Sequence, residues 1–425
     1  MISMVTVQTK VLIASILCRT TIWYDHTLFI ELVNIMSREF CYAENTYYGI
    51  LQFFGITWLG TMARPLGAAF VLGHIGDRYG RKVALLIAML FISIPSSLIA
   101  FIPNYNQIGI AATMLFLTIQ IIQGIALGGE QGGSSVYLME HLSYKQQKLG
   151  MFLGITGLGR SIGMLLSTVI IIICKKTTDF NAWGWRIPFI FLVVLGLLSA
   201  YSIYLLGETP AYKANNERSA FPIMDLIKHH KRILILAILI AMPINIIAGF
   251  IIFLRTLAKE IVSIEMYAAT YVNEIINIIT GILIPICSIA FGMLADKVGK
   301  ERTAILFIIV TMMLCCPILS IAYYCKNYLI IMLSIMVLTI LERGINPIGI
   351  VISELFPTQF RFSGVSVSRN ISYLIYGGSA PMICTFFIKN FPQINFLAGI
   401  YVTLNLLIGL IAILQVRPQD KQSYW

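Results

Sequence analysis

The chain has 425 residues, of which 58% are hydrophobic and 12% charged, with a mean hydropathy of +0.85. No water-soluble domain carries that much apolar surface without precipitating, so the composition excludes a soluble enzyme or binding module and points to a membrane protein throughout. The net charge of +11 raises nucleic acid as a partner, but no basic run is dense enough for a nucleic-acid arm.

A spanning helix needs about 20 apolar residues, and twelve such stretches are expected, near 11–34, 50–72, 83–101, 108–138, 149–174, 186–206, 233–256, 266–294, 303–325, 329–353, 364–388 and 394–416. With the N-terminus inside, about 17 Lys and Arg fall at cytoplasmic helix ends, about 7 outside and about 6 within spans, the asymmetry of the positive-inside rule. The start resembles a signal peptide, but Leu17 stands where a small residue is needed before Cys18, so the segment reads as the first spanning helix. That helix carries Trp23, Tyr24, Asp25 and His26 well inside the span. A carboxylate there costs about 2.5–3.5 kcal/mol on insertion scales, which marks Asp25 as a cavity or proton-carrying group; the bland alternative is pairing with Arg19 or Arg64.

Helix two sets Arg64 beside Pro65, and the guanidinium then needs a carboxylate or an anion. Between helices two and three lies a polar knot, Gly73 to Lys82, read as a tight loop: Gly73, Gly76 and Gly80 permit a sharp turn and close approach, Asp77 accepts from N–H groups at a helix start, and Arg78, Arg81 and Lys82 hold the loop in the cytoplasm. Helix four carries Gln120, Gln123 and a glycine-flanked Glu130; a phosphate cradle is excluded because no strand of a soluble domain precedes it. Helix five repeats glycine from Gly150 to Gly163, a packing pattern interrupted by Arg160, which is either a substrate-side cation or a partner for Asp25 or Glu130. Trp183 to Pro188 reads as an outer interfacial anchor at the start of helix six.

Gly207 to Arg232 is the longest polar stretch and divides the chain into an N-terminal bundle (1–206), a cytoplasmic linker (207–232) and a C-terminal bundle (233–425). Its His229-His230 pair has no acidic or Cys partner nearby, and the 8 Cys show no metal or redox spacing, so no metal site is expected. In helix ten, Glu342 and Arg343 point about 100° apart, which argues against full mutual neutralisation and sends one of them to the cavity. Asn346-Pro347 then breaks the helix, and Asn370 and Tyr373 follow on helix eleven as cavity candidates.

The knot recurs downstream. Gly73 aligns with Gly292, Asp77 with Asp296, Arg78 with Lys297, Gly80 with Gly299 and Arg81 with Lys300; likewise Glu140 and Gly150 correspond to Glu354 and Gly364. Two related halves follow. The repeated loop resembles the signature of the major facilitator superfamily. Further stretches, WYD at Trp23–Asp25, ARPLG at Ala63–Gly67, QGIALGGEQGG at Gln123–Gly133, WGWRIPF at Trp183–Phe189, ETPAY at Glu208–Tyr212, ELFPTQFR at Glu354–Arg361 and GGSAP at Gly377–Pro381, resemble its metabolite:proton symporter branch, which includes proline/betaine, dicarboxylate, citrate and shikimate carriers. The resemblance implies an all-α membrane fold of two six-helix bundles in the inner (plasma) membrane of a bacterium. It also implies alternating access with Asp77, Asp296 and their neighbours as gating loops, a proton as coupling ion with no other cofactor, and a small-molecule substrate carried by a monomer.

The chain departs from the branch where a glutamate is usual before Trp23, here Ile22, and where an arginine is usual three residues before Gln123, here Gln120. Losing both members of a buried pair together avoids an orphaned charge. Asp25 and Glu130 remain the proton-coupling candidates, with Trp23, Tyr24, Arg64, Arg160, Glu342, Arg343, Asn370 and Tyr373 as cavity candidates. A transporter-fold sensor that binds ligand without turnover is the competing reading, and retention of Asp25, Arg64, Glu130 and both loop signatures favours transport.

Overall fold

The computed structural model describes residues 2–42, 46–142, 148–177, 179–215, 219–262, 268–325, 327–394 and 396–417. Ten helices are long and apolar enough to cross a membrane, and two less apolar ones, Ile2–Glu31 and Thr46–Leu66, complete a set of twelve among the described residues. In the first half these are α1 (Ile2–Glu31), α2 (Thr46–Leu66), α3 (Arg81–Leu98), α4 (Ile110–Leu142), α5 (Gly157–Thr177, preceded by a coaxial turn at Leu149–Ile155) and α6 (Ile187–Tyr204). The second half has α7 (Pro222–Val262), α8 (Ala268–Val298), α9 (Lys300–Cys325), α10 (Tyr328–Ile345), α11 (Arg361–Ser372, resuming at Ala380–Asn390) and α12 (Leu397–Leu414).

Within the first half α1 packs on α5 and α6, α2 on α4, and α3 on α4 and α6; in the second, α7 and α9 pack on α12 and α10. The halves meet along two seams, α5 against α8 and α4 against α11. Glycine makes the first seam close: a Cβ on Gly150 would lie 2.4 Å from the Gly292 carbonyl oxygen, and one on Gly292 would lie 2.2 Å from that of Gly150. Apolar clusters centred on Phe250 and Phe356 in the second half and on Phe116 and Met89 in the first fill the bundles.

The polar knot is mostly helix rather than loop. Leu72–Arg78 is helical, its last turn closed by Tyr79 N–H donating to the Ile75 carbonyl at 2.8 Å, and the chain reverses at Tyr79 and Gly80. Gly80 has φ 124° and its counterpart Gly299 has φ 110°, a region that a side chain disfavours, so the repeated glycine answers a repeated backbone demand. Pro65 removes a donor from α2, and the ladder slips into a π-bulge at Gly67–Val71. A second π-bulge, Tyr373–Gly377, interrupts α11. Helix α10 ends at Ile345 and restarts at Ile348, so Asn346-Pro347 forms a break. The polar stretch between the halves carries a short helix, Pro210–Ala214, and α7 already begins at Pro222 and kinks at His230.

Candidate substrate and proton site between the two halves

At the end of the bundles bearing the Gly80 and Gly299 turns, each half caps a helix of the other. The Asp77 carboxylate accepts from the N–H groups of Phe362 (3.0 Å) and Ser363 (2.9 Å) in the first turn of α11. Asp296, at the end of α8, accepts from Gly150 (2.7 Å) and Met151 (2.8 Å) in the turn that leads into α5. Carboxylates on exposed helix N–H groups are favoured by the orphan donors and by the helix dipole. Beside Asp77 lies a fully buried charge cluster: Glu140 binds Arg81 Nε at 3.2 Å and Arg361 Nη1 at 3.2 Å and accepts from the Thr209 hydroxyl at 2.6 Å. Arg81 also donates to the Gly76 carbonyl (3.0 Å) and to that of Thr358 in the other half. The second half answers with Lys300 paired to Glu354, a pair that stays within its own half. Arg78 and Lys297 are exposed. Gly73 and Gly80 serve close approach, since a Cβ on the first would meet the Ala68 carbonyl and on the second the Glu208 carboxylate. Burial raises the pKa of the Glu208 carboxyl, against the Thr209 and Lys82 N–H donors that lower it.

Deeper between the bundles lies a group of basic side chains. Arg160 lies about 15 Å along its helix from Gly150 at 1.5 Å per residue, half of a hydrocarbon core about 30 Å thick. Its guanidinium stacks on Trp23 at 3.8 Å from the ring centroid, and Arg64, beside the first π-bulge, lies 5.1 Å from the ring of Tyr373 in the second. The charges of Arg64, Arg160 and Arg255 all fall on the His26 imidazole, and Arg160 also lies in the field of Arg343 and Glu342. Arg64, Arg160, Arg255 and Arg343 each hold a buried Nε with no hydrogen-bond partner among the described residues.

Several expected roles change. Asp25 pairs with neither Arg19 nor Arg64: its Oδ1 accepts from Ser96 at 2.7 Å and its Oδ2 from the Gln123 amide at 3.2 Å, which turns it into the α1–α3–α4 packing. Tyr24 is fully buried and donates to the Pro188 carbonyl at 2.9 Å, so it braces α1 against α6 instead of lining the cavity. Arg160 meets an aromatic face instead of Asp25 or Glu130. Glu342 and Arg343 do pair, because the long guanidinium stem folds back along the helix and closes the angle between their Cβ directions. Asn370 donates to the Gly128 carbonyl at 2.8 Å and ties α11 to α4, although its Oδ1 is unpartnered.

Glu130 stands at the junction of the halves. The Ser134 hydroxyl donates to it, Arg19 on α1 and Arg369 on α11 act on its charge, and its Oε1 is buried without a partner among the described residues. Arg369 in turn donates to the Gln131 carbonyl at 3.0 Å and to Ser135 Oγ at 3.1 Å. His26 and Arg255 were missed as members of the cavity. The only signal in the sequence was their polarity inside apolar spans, which does not say which face they share.

Among the described residues, twelve helices in two related bundles, joined at one end and holding a buried group of charges between them, give the architecture of a membrane transporter. The chain belongs to the major facilitator superfamily, whose family model matches residues 27–361. It is similar to the shikimate transporter of Escherichia coli (strain K12), 27% identical over 94% of this chain and 92% of that one. The ectoine/proline transporter ProP of Corynebacterium glutamicum is 27% identical over 86% of this chain and 76% of its own. Among solved structures, the proton:xylose symporter XylE bound to 6-bromo-6-deoxy-D-glucose superposes with a TM-score of 0.77 over 99% of this chain and 98% of that one, at 17% identity, which shows the shared fold.

Proposed function

We propose that this chain is a proton-coupled secondary transporter that carries a small carboxylate-bearing metabolite or osmolyte by alternating access, as a monomer in the inner membrane of a bacterium with both termini in the cytoplasm. The observation that carries the reading is the convergence of Arg64 and Arg160 from one half with Arg255 and Arg343 from the other, each with an unpartnered Nε. A carboxylate drawn between them bonds to both halves at once, so binding favours the arrangement in which they close on it. The relatives point the same way, since shikimate and proline each carry a carboxylate. Asp77 and Asp296 then act as cytoplasmic latches that part when the chamber opens inward.

The proton is assigned to Glu130 ahead of Asp25. What supports this is placement: Glu130 touches the charge of α11 across the junction and keeps one oxygen free, whereas Asp25 has its oxygens engaged within one half. A carboxyl that exchanges charged neighbours as the halves rock changes its proton affinity between the two states. The test is uptake by purified protein in proteoliposomes with and without an imposed inward proton gradient, against shikimate, proline, betaine, succinate and citrate. Accumulation that collapses when a protonophore is added is the expected result. Saturable binding without any uptake would instead favour the sensor.

A further inference from the structure

We infer that the chamber is built for an anion carrying at least two negative charges, a dicarboxylate or a phosphate monoester, and not for a zwitterion or a simple monocarboxylate. The inference rests on the transporter reading but concerns the ligand alone. Four guanidiniums, from α2, α5, α7 and α10, converge on the chamber. Among the described residues, the carboxylates set against them are Glu342, which is paired to Arg343 and also acts on Arg160 and Arg255, and Asp25, which acts on Arg64. Glu130 answers Arg19 and Arg369 instead. A monoanion therefore leaves part of the excess positive charge uncompensated in a desolvated space, where like charges repel far more strongly than in water. Two anionic groups, one for each half, offset it.

The aromatic faces argue against a quaternary ammonium. Such a cation is held over the faces of Trp or Tyr rings, and the sequence offers Trp23, Tyr24 and Tyr373 for the purpose. Arg160 already covers Trp23 at 3.8 Å, Arg64 lies over Tyr373 at 5.1 Å, and Tyr24 is buried against α6. The cradle that a betaine needs is filled by the protein's own cations. Aromatic stacking also holds the guanidinium planes, which leaves their edges for bidentate bonding to carboxylate or phosphate oxygens.

The experiment is binding by isothermal calorimetry to the full-length protein in detergent, with succinate, glycerol 3-phosphate, propionate and glycine betaine as probes, alongside uptake of the same four compounds in proteoliposomes. Succinate or glycerol 3-phosphate should bind at least about tenfold more tightly than propionate or betaine, and which of the two wins distinguishes carboxylate from phosphate. Arg160→Gln and Arg343→Gln should each weaken that binding about thirtyfold or more, as truncation of one partner of a buried charge pair does, while Arg160→Lys recovers part of it. Size-exclusion profiles matching wild type show that the variants fold, and the lysine variant keeps the test open if a glutamine variant does not. Dianions that bind no better than betaine or propionate, or that bind Arg160→Gln as well as wild type, overturn the inference. Betaine accumulated under a proton gradient would sink it and leave the transporter reading standing; dianions bound but never taken up would do the reverse.

Discussion

Asp25 and Glu130 are both buried carboxylates on first-half helices, yet their neighbours differ in kind. Asp25 is held by donors on α3 and α4 and lies in the field of Arg64 on α2, so its neighbours all belong to its own bundle. Glu130 is set between cations of α1 and α11, so its surroundings change when the bundles part. Glu130→Gln should therefore abolish gradient-driven accumulation while leaving exchange of internal for external substrate near the wild-type rate. Asp25→Asn should keep accumulation and lose about 1–3 kcal/mol of stability from imperfectly met buried hydrogen bonds, read as a lower midpoint in thermal unfolding. If Asp25→Asn also uncouples the protein, the assignment of the proton reverses.

The two turns at Gly80 and Gly299 show how a repeated sequence element becomes a pair of contacts between the halves, the latches of the proposed transport cycle. Each glycine reverses the chain in a conformation that a Cβ resists, and each follows a helix whose aspartate caps the opposite half. Gly80→Ala should cost about 1–3 kcal/mol through backbone strain of this kind and lower the thermal midpoint of the purified protein. The latches are not equal. On the Asp77 side, Arg81 and Glu140 also cross to Thr358 and Arg361, while on the Asp296 side the Lys300–Glu354 pair holds within one half. Asp77→Asn should thus slow transport several-fold without blocking insertion, and Asp296→Asn should do less. Transport by Asp77→Asn at the wild-type rate would show that the latch sets no rate.

Seen as a whole molecule, the two bundles are in contact at the latch end through α4 and α11 and through α5 and α8. Ser366 lies deep in the α4–α11 seam, its Oγ donating to the Gly129 carbonyl at 3.3 Å and its Cα 2.5 Å from where a Cβ on Gly132 would stand. A cysteine introduced at Ser366 should be shielded from a membrane-impermeant maleimide in resting vesicles and become labelled in the Asp77→Asn background. Labelling should occur only in inside-out vesicles, which also tests the proposed cytoplasmic placement of the latches. Equal labelling from the opposite face would invert the topology.

The membrane class, the helix count and the relation between the halves were legible in the sequence because each depends on local quantities: runs of apolar residues, glycines with special backbone demands, and a motif repeated in order. The knot was legible as a landmark, though its helical extent was not, since glycines that serve close packing read the same way as glycines that make a loop. Side-chain partnerships across helices were beyond reach. Polar residues inside a span announce that they matter, but the face they share is set by helix rotation and crossing, which depend on packing against distant segments. Tertiary structure alone turned Asp25 toward Ser96 and Gln123 and Tyr24 toward Pro188. It likewise folded Arg343 onto Glu342 and brought His26 and Arg255 to the same chamber as Arg64 and Arg160. A lone charge in an apolar helix is determined by sequence; whether it meets a partner or waits for a ligand is decided by which other helices arrive beside it.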